Sequence, residues 1–157
     1  LWSRGLGDVY KRQVYYVLIT LFLEEKYMSD VLENTLSFED YDVLMKSISE
    51  DQENAENLKK LIEKGINLDQ LIDESSGLHP IHWAASYGNQ KAIEILLEEG
   101  IDLNKPCEGF IEFTPLEHAA KGGHVELVKY LLDQGAKKTE WTESCIGDNK
   151  ELEALLG

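Results

Sequence analysis

The side chains with most chemical capacity in this chain are four histidines, His79, His82, His118 and His124. His79 and His82 stand three apart, and Glu117-His118 falls 35 positions after His82-Trp83. Imidazoles grouped in this way can bind a metal or move a proton. Zinc, however, favours cysteines or tightly spaced histidine pairs, and the only cysteines are Cys107 and Cys145, far apart. Two such residues make neither a disulfide framework nor a zinc spacing. They read as reduced thiols, which places the chain in the cytoplasm, with the nucleus as a second compartment. No nucleophile elbow and no phosphate-cradling glycine loop is present. Cys107 lies beside Glu108, and a neighbouring anion disfavours the thiolate. The pairs Glu98-Glu99 and Asp73-Glu74 read as solvated surface. No catalytic residue, metal site or cofactor is expected, so recognition is the first hypothesis.

The elements that carry these residues repeat. His79-Pro-Ile-His-Trp-Ala-Ala-Ser-Tyr-Gly88 is answered by Thr114-Pro-Leu-Glu-His-Ala-Ala-Lys-Gly-Gly123, and Ile93, Leu96, Leu97 and Gly100 fall on Val128, Leu131, Leu132 and Gly135 at the same offset of 35. A fixed period of this size marks a solenoid, whose units stack their apolar faces on one another. Pro80 and Pro115 suit the first turn of a helix, where a missing N–H costs nothing. The Ala84-Ala85 and Ala119-Ala120 pairs allow close helix approach. Gly100 and Gly135 suit the left-handed residue that ends a helix. Trp83 is expected in the core, against the neighbouring unit.

These residues identify the resemblance. Thr114-Pro-Leu, Ala119-Ala120, Gly123-His124, Leu131-Leu132 and Gly135-Ala136 resemble an ankyrin repeat almost letter for letter, and Pro80–Asn104 resembles one equally well. The resemblance implies an all-α solenoid of stacked helix-turn-helix units with extended loop fingers, three to four units including degenerate ends. It also implies that His82 and His124 hydrogen-bond between loop and helix, since the family often carries histidine there. Both full fingers, Gly65 to Pro80 and Gly100 to Pro115, are about two residues longer than the family norm.

The ends are less regular. Residues 1–27 read as a non-native leader, an adaptor-like stretch plus untranslated read-through, with Met28 as the start. The rival is a secretory signal, with Val14 to Leu23 as its apolar core; no small-residue cleavage site follows, and ten residues are too few to span a bilayer, which takes about 20. Residues 28–37 read as a lead-in. The ankyrin domain is expected over 38–157, with an N-terminal cap at 38–69, repeats at 70–104 and 105–137, and a C-terminal cap at 138–157. Ser37 is the expected helix cap before Phe38, Tyr41, Leu44, Met45 and Ile48. A polar break at Glu50–Asn54 precedes Leu58, Leu61 and Ile62. Thr139–Ile146 reads as a short first helix, with Trp141 plugging the last unit, and Leu152, Leu155 and Leu156 as the stripe of a second.

The net charge is −15. Residues 1–27 carry four cations and three anions, so residues 28–157 carry −16. Such acidity repels phosphate backbones and anionic lipid, so neither nucleic acid nor membrane is an expected partner. A basic protein surface is its complement. In ankyrin repeats the concave face is built from fingers and the exposed ends of first helices. The resemblance therefore nominates Ser86, Tyr87, Lys121 and Gly122 as protein-binding, with Leu78, Phe110, Ile111 and Phe113 on the fingers. Size, Gly135-Ala-Lys-Lys-Thr139 and Asp148–Leu156 also resemble a small family member that sequesters actin capping protein. The expectation is a monomeric, non-catalytic interaction module; the alternative is a terminal fragment of a larger ankyrin-repeat protein with a separate effector domain.

Overall fold

The structure is a computed structural model that describes residues 36–49, 52–73, 76–108 and 111–157. The leader, most of the lead-in and Phe110 lie outside the described residues. Among the described residues the chain forms seven α-helices and no strand. These are α1 (Phe38–Ser49), α2 (Asn57–Glu63), α3 (Pro80–Ser86), α4 (Gln90–Glu98), α5 (Pro115–Lys121), α6 (Val125–Asp133) and α7 (Lys150–Leu156). The architecture is the all-helical solenoid that the period of 35 implies.

Each helix pair forms because its sequence supplies both ends. The Ser37 hydroxyl accepts from the Asp40 N–H at 3.1 Å and caps α1. Pro80 and Pro115 open α3 and α5. The second helices end in a repeated closure: Gly100 N–H donates to Leu97 O (3.0 Å) and Ile101 N–H to Leu96 O (3.2 Å), matched by Gly135 to Leu132 O and Ala136 to Leu131 O. Gly100 and Gly135 sit at φ 84° and 94°, where a Cβ would be strained and glycine is not.

One apolar core runs through the stack. It takes Leu44 and Ile48 from α1, Leu58 and Leu61 from α2, Ile81 from α3, Ile93 and Leu96 from α4, Leu116 from α5, Val128 and Leu131 from α6, and Leu152 and Leu156 from α7. Ala84, Ala85 and Ala119 are fully buried; with only a methyl on their contact faces, α3 and α5 make the most extensive helix pairing. Trp83 is packed only partly against this core and stacks on Tyr87 at 6.0 Å.

Two elements differ from expectation. The polar stretch after α1 contains a 3-10 helix, Gln52–Glu56, that leads straight into α2 and buries Ala55. The expected helix over Thr139–Ile146 shrinks to one 3-10 turn, Glu143–Cys145, because Thr139 and Thr142 are drawn inward as hydrogen-bond donors.

The fingers are tied to each other. The Lys105 ammonium donates to Asp69 O and Oδ1 (2.6 and 2.8 Å), Glu108 N–H to Gly77 O (2.8 Å) and Lys137 N–H to Asn104 Oδ1 (2.8 Å). Gly77 has φ 71°, and a Cβ there would lie 1.6 Å from the Glu108 carbonyl oxygen. Gly77→Ala should therefore cost about 3 kcal/mol or more, through clash and strain together. Gly65→Ala, at φ 85° with open space around it, should cost about 1–2 kcal/mol from backbone strain alone. Urea midpoints followed by circular dichroism check both, and equal losses would rule out the inter-finger contact as the cause.

Candidate functional site

The third residue of each first helix of the central repeats is polar and fully buried, and it fastens two fingers. In α3 this residue is His82. Its Nδ1 accepts the His79 N–H at 3.1 Å, at the root of its own finger. That leaves Nε2 as the donor to the Lys105 carbonyl at 2.8 Å, in the next finger. One unit on, the same position holds Glu117, also at 0% exposure. Its carboxylate accepts the Thr114 N–H (2.9 Å), the Thr114 hydroxyl, and the hydroxyls of Thr139 (3.2 Å) and Thr142 (2.5 Å) in the third finger. A buried carboxylate is tolerable only when its lone pairs are met in this way. Sequence reasoning missed this network; the Thr114-Pro-Leu-Glu117 spacing, which suits a capping box, was the available signal.

The demand of Glu117 explains where Trp141 goes. Thr142 is 1% exposed with its hydroxyl on the carboxylate, whereas Trp141, its neighbour, is 37% exposed. The expectation that Trp141 plugs the last unit is therefore corrected: the inward slot belongs to Thr142.

The other histidines also have structural work. His79 Nδ1 donates to Leu71 O at 2.8 Å. His124 Nε2 donates to Ser86 O at 2.8 Å, with its ring close over Gly88 and Gly122, where a Cβ on either would fall within 2.5 Å of it. His118 Nδ1 meets the Ser86 hydroxyl at 3.1 Å, and its Nε2 is buried with no partner among the described residues. Burial lowers His82 and His118 to about 4, with neighbouring positive charge adding to the effect at His118 through Lys121. Cys107 and Cys145 are buried, and burial pushes both thiols upward. Among the described residues no three His, Cys, Asp or Glu side chains could together hold a metal ion, and no helix is long and apolar enough to cross a membrane.

Around His118 the structure gathers several of the nominated residues. Phe113 meets the imidazole edge-on at 5.9 Å, the Lys121 ammonium lies 5.5 Å over the Phe113 ring, and Ser86 is hydrogen-bonded to His118. Gly122 adjoins Ser86 through His124. Phe113 is thus half-buried, folded back from its finger. Leu78 is half-buried in the first finger, where it bridges Asp73. Tyr87 (47%) and Ile111 (42%) remain the exposed apolar members.

The family model described as Ankyrin repeats (3 copies) matches residues 15–107 and again 44–142. The chain belongs to the ankyrin-repeat family. The first match begins inside the apolar run read above as part of a leader, so the family pattern reaches into that segment. No curated protein matches the chain. Ankyrin repeats are generally protein-interaction modules.

Two outcomes follow from the buried polar position. Glu117→Leu strands the Thr114 N–H and the Thr142 hydroxyl and should lower unfolding stability by about 3 kcal/mol. A loss under 1 kcal/mol by urea titration would show that water replaces the carboxylate. His82 takes a proton near its ordinary value when unfolded but only near pH 4 when folded, so its stability is complete above about pH 6.5 and lost as pH falls toward 4. In His82→Gln that share of the loss, on the order of 3 kcal/mol, should vanish. Parallel stability curves from pH 7.5 to 4 would sink this assignment.

Proposed function

We propose that this ankyrin-repeat chain is a non-catalytic, monomeric protein-interaction module that holds a basic protein partner against its fingers and first-helix ends. The observation that carries the reading is the pairing of exposed Tyr87 and Ile111 with a net charge of −15. Large apolar side chains at exposed loop and helix-end positions are typical of binding surfaces, and tyrosine provides rigid amphipathic area. Ser86, Lys121, Gly122, Leu78 and Phe113 form the supporting surface; the Ser86 hydroxyl, the Lys121 ammonium and the Phe113 ring are already engaged within the chain, so these groups offer shape more than free hydrogen bonds. Phe110 belongs to the same proposed surface by its place in the second finger.

The specific reading is a myotrophin-like sequestrator of actin capping protein. It rests on the resemblance of layout and of the last two sequence blocks to myotrophin, and on the fit between an acidic chain and a basic, actin-facing surface. Departures in finger length bear on partner choice, because fingers set specificity. Titration of the chain into heterodimeric actin capping protein by calorimetry tests it. Saturable binding that weakens with salt, and weakens roughly tenfold in Tyr87→Ala, is the expected result. Absence of heat at roughly 50 μM protein would reject capping protein as the partner.

A further inference from the structure

The two central repeats share a fastening that the last unit lacks. The residue preceding each second helix reaches back to the last turn of the preceding first helix. Asn89 Nδ2 donates to Ser47 O and Ile48 O of α1, at 3.1 Å each. His124 Nε2 donates to Ser86 O, the last carbonyl of α3. By its place before α7 the third member is Asn149, and one repeat after Ser86 its target is the Lys121 carbonyl, which ends α5. Asn149 Oδ1 caps its own helix, accepting from Glu151 N–H (3.0 Å) and Leu152 N–H (3.2 Å), as Asn89 Oδ1 does from Ala92 N–H, but among the described residues its Nδ2 makes no donation. Among the described residues nothing donates to the Lys121 carbonyl.

A cleft of about 560 Å³ opens where this bond is missing, and both Lys121 and Asn149 line it. Phe113, Ala120 and Cys145 contribute apolar lining, and Asp148 supplies a carboxylate. Glu112 and Glu143, both exposed, immediately precede lining residues in the chain, and exposed Lys150 follows Asn149. The one lysine on the cleft, Lys121, is drawn over Phe113. A volume of this size accepts a long side chain with the backbone that carries it.

We infer that this cleft is the subsite for an arginine on an extended segment of the protein partner, whose guanidinium takes the place of the missing reach-back group. An arginine matches all three surfaces at once. Its apolar stem covers Phe113 and Ala120, and its planar fork offers donors to the Lys121 carbonyl and to Asp148 together. This deepens the interaction-module reading and rests on it, because it names the chemistry that a basic partner brings.

The test uses the full chain, labelled with ¹⁵N, and the peptide acetyl-Gly-Arg-Leu-Gly-amide against the same peptide with citrulline for arginine. Saturable shifts at the amides of residues 120–123 and 145–149 are expected, at least tenfold weaker for the citrulline peptide. Asn149→His, which supplies a reach-back group like His124, should weaken the arginine peptide at least tenfold. Asp148→Lys, a change of an exposed side chain, should do the same and remains informative if Asn149→His disturbs the fold. No shifts at about 5 mM peptide, or shifts indifferent to both variants, would overturn the subsite. If a whole protein partner loses affinity on Tyr87→Ala but ignores Asn149→His and Asp148→Lys, the module reading stands and the arginine subsite falls.

Discussion

The fold depends on one constraint: a polar group buried beneath each long finger must be hydrogen-bonded to two fingers at once. A stack of short helix pairs has a continuous apolar core on its inside, but its loops project away from that core and gain little from it. Without a fixed contact, a finger of this length would lose its conformation to chain entropy. His82 and Glu117 supply the contact by opposite chemistry. The imidazole offers one acceptor and one donor, matching an N–H in its own finger and a carbonyl in the next. The carboxylate offers only acceptors, and the third finger answers with the hydroxyls of Thr139 and Thr142. Position and burial are kept while donor and acceptor are exchanged, and the sequence of the following finger changes to suit.

This arrangement also gives the neighbouring histidines structural duties. The His82 and His118 rings lie 5.3 Å apart, tilted by 57°, and burial keeps both neutral near neutral pH. The neutral His82 ring has its tautomer fixed by an N–H on one side and a carbonyl on the other. A proton relay would need a ring nitrogen open to a substrate. Both nitrogens of His82 are occupied, and the free nitrogen of His118 is enclosed.

Much of this was legible from residue types. The period of 35, the two prolines, the alanine pairs and the terminal glycines each encode a local backbone or packing requirement, and local requirements survive into the fold. The hydrogen-bonding duty of His82 and His124 was legible through the family resemblance. What stayed hidden depends on partners distant in sequence. Thr142 gives no sign alone that it, and not Trp141, turns inward; only the buried carboxylate of Glu117, 25 positions earlier, decides it. Likewise Phe113 looks like an exposed loop aromatic until His118 and Lys121 are placed beside it. Of the three finger aromatics and aliphatics, Ile111 alone among the described residues keeps the exposure expected of it.

The distribution of lysines bears on what the acidic surface can recognise. Lys46, Lys59, Lys64, Lys91, Lys105 and Lys129 each lie within ion-pair distance of a carboxylate. Exposed pairs of this kind contribute little stability. Their larger consequence is electrostatic: each offsets a nearby carboxylate, while Glu98 on α4 and Asp133 on α6 have no cation within ion-pair distance among the described residues. Glu108 at a finger tip is 72% exposed and meets only the His79 ring, at 3.8 Å; Glu112 and Asp148 are exposed beside the cleft. Lysines are set among these acids: Lys121, its ammonium over Phe113, borders the same cleft, and exposed Lys150 follows Asn149. Charge beside the cleft is therefore mixed in sign, and apolar contact with Phe113 weighs beside it in any recognition there.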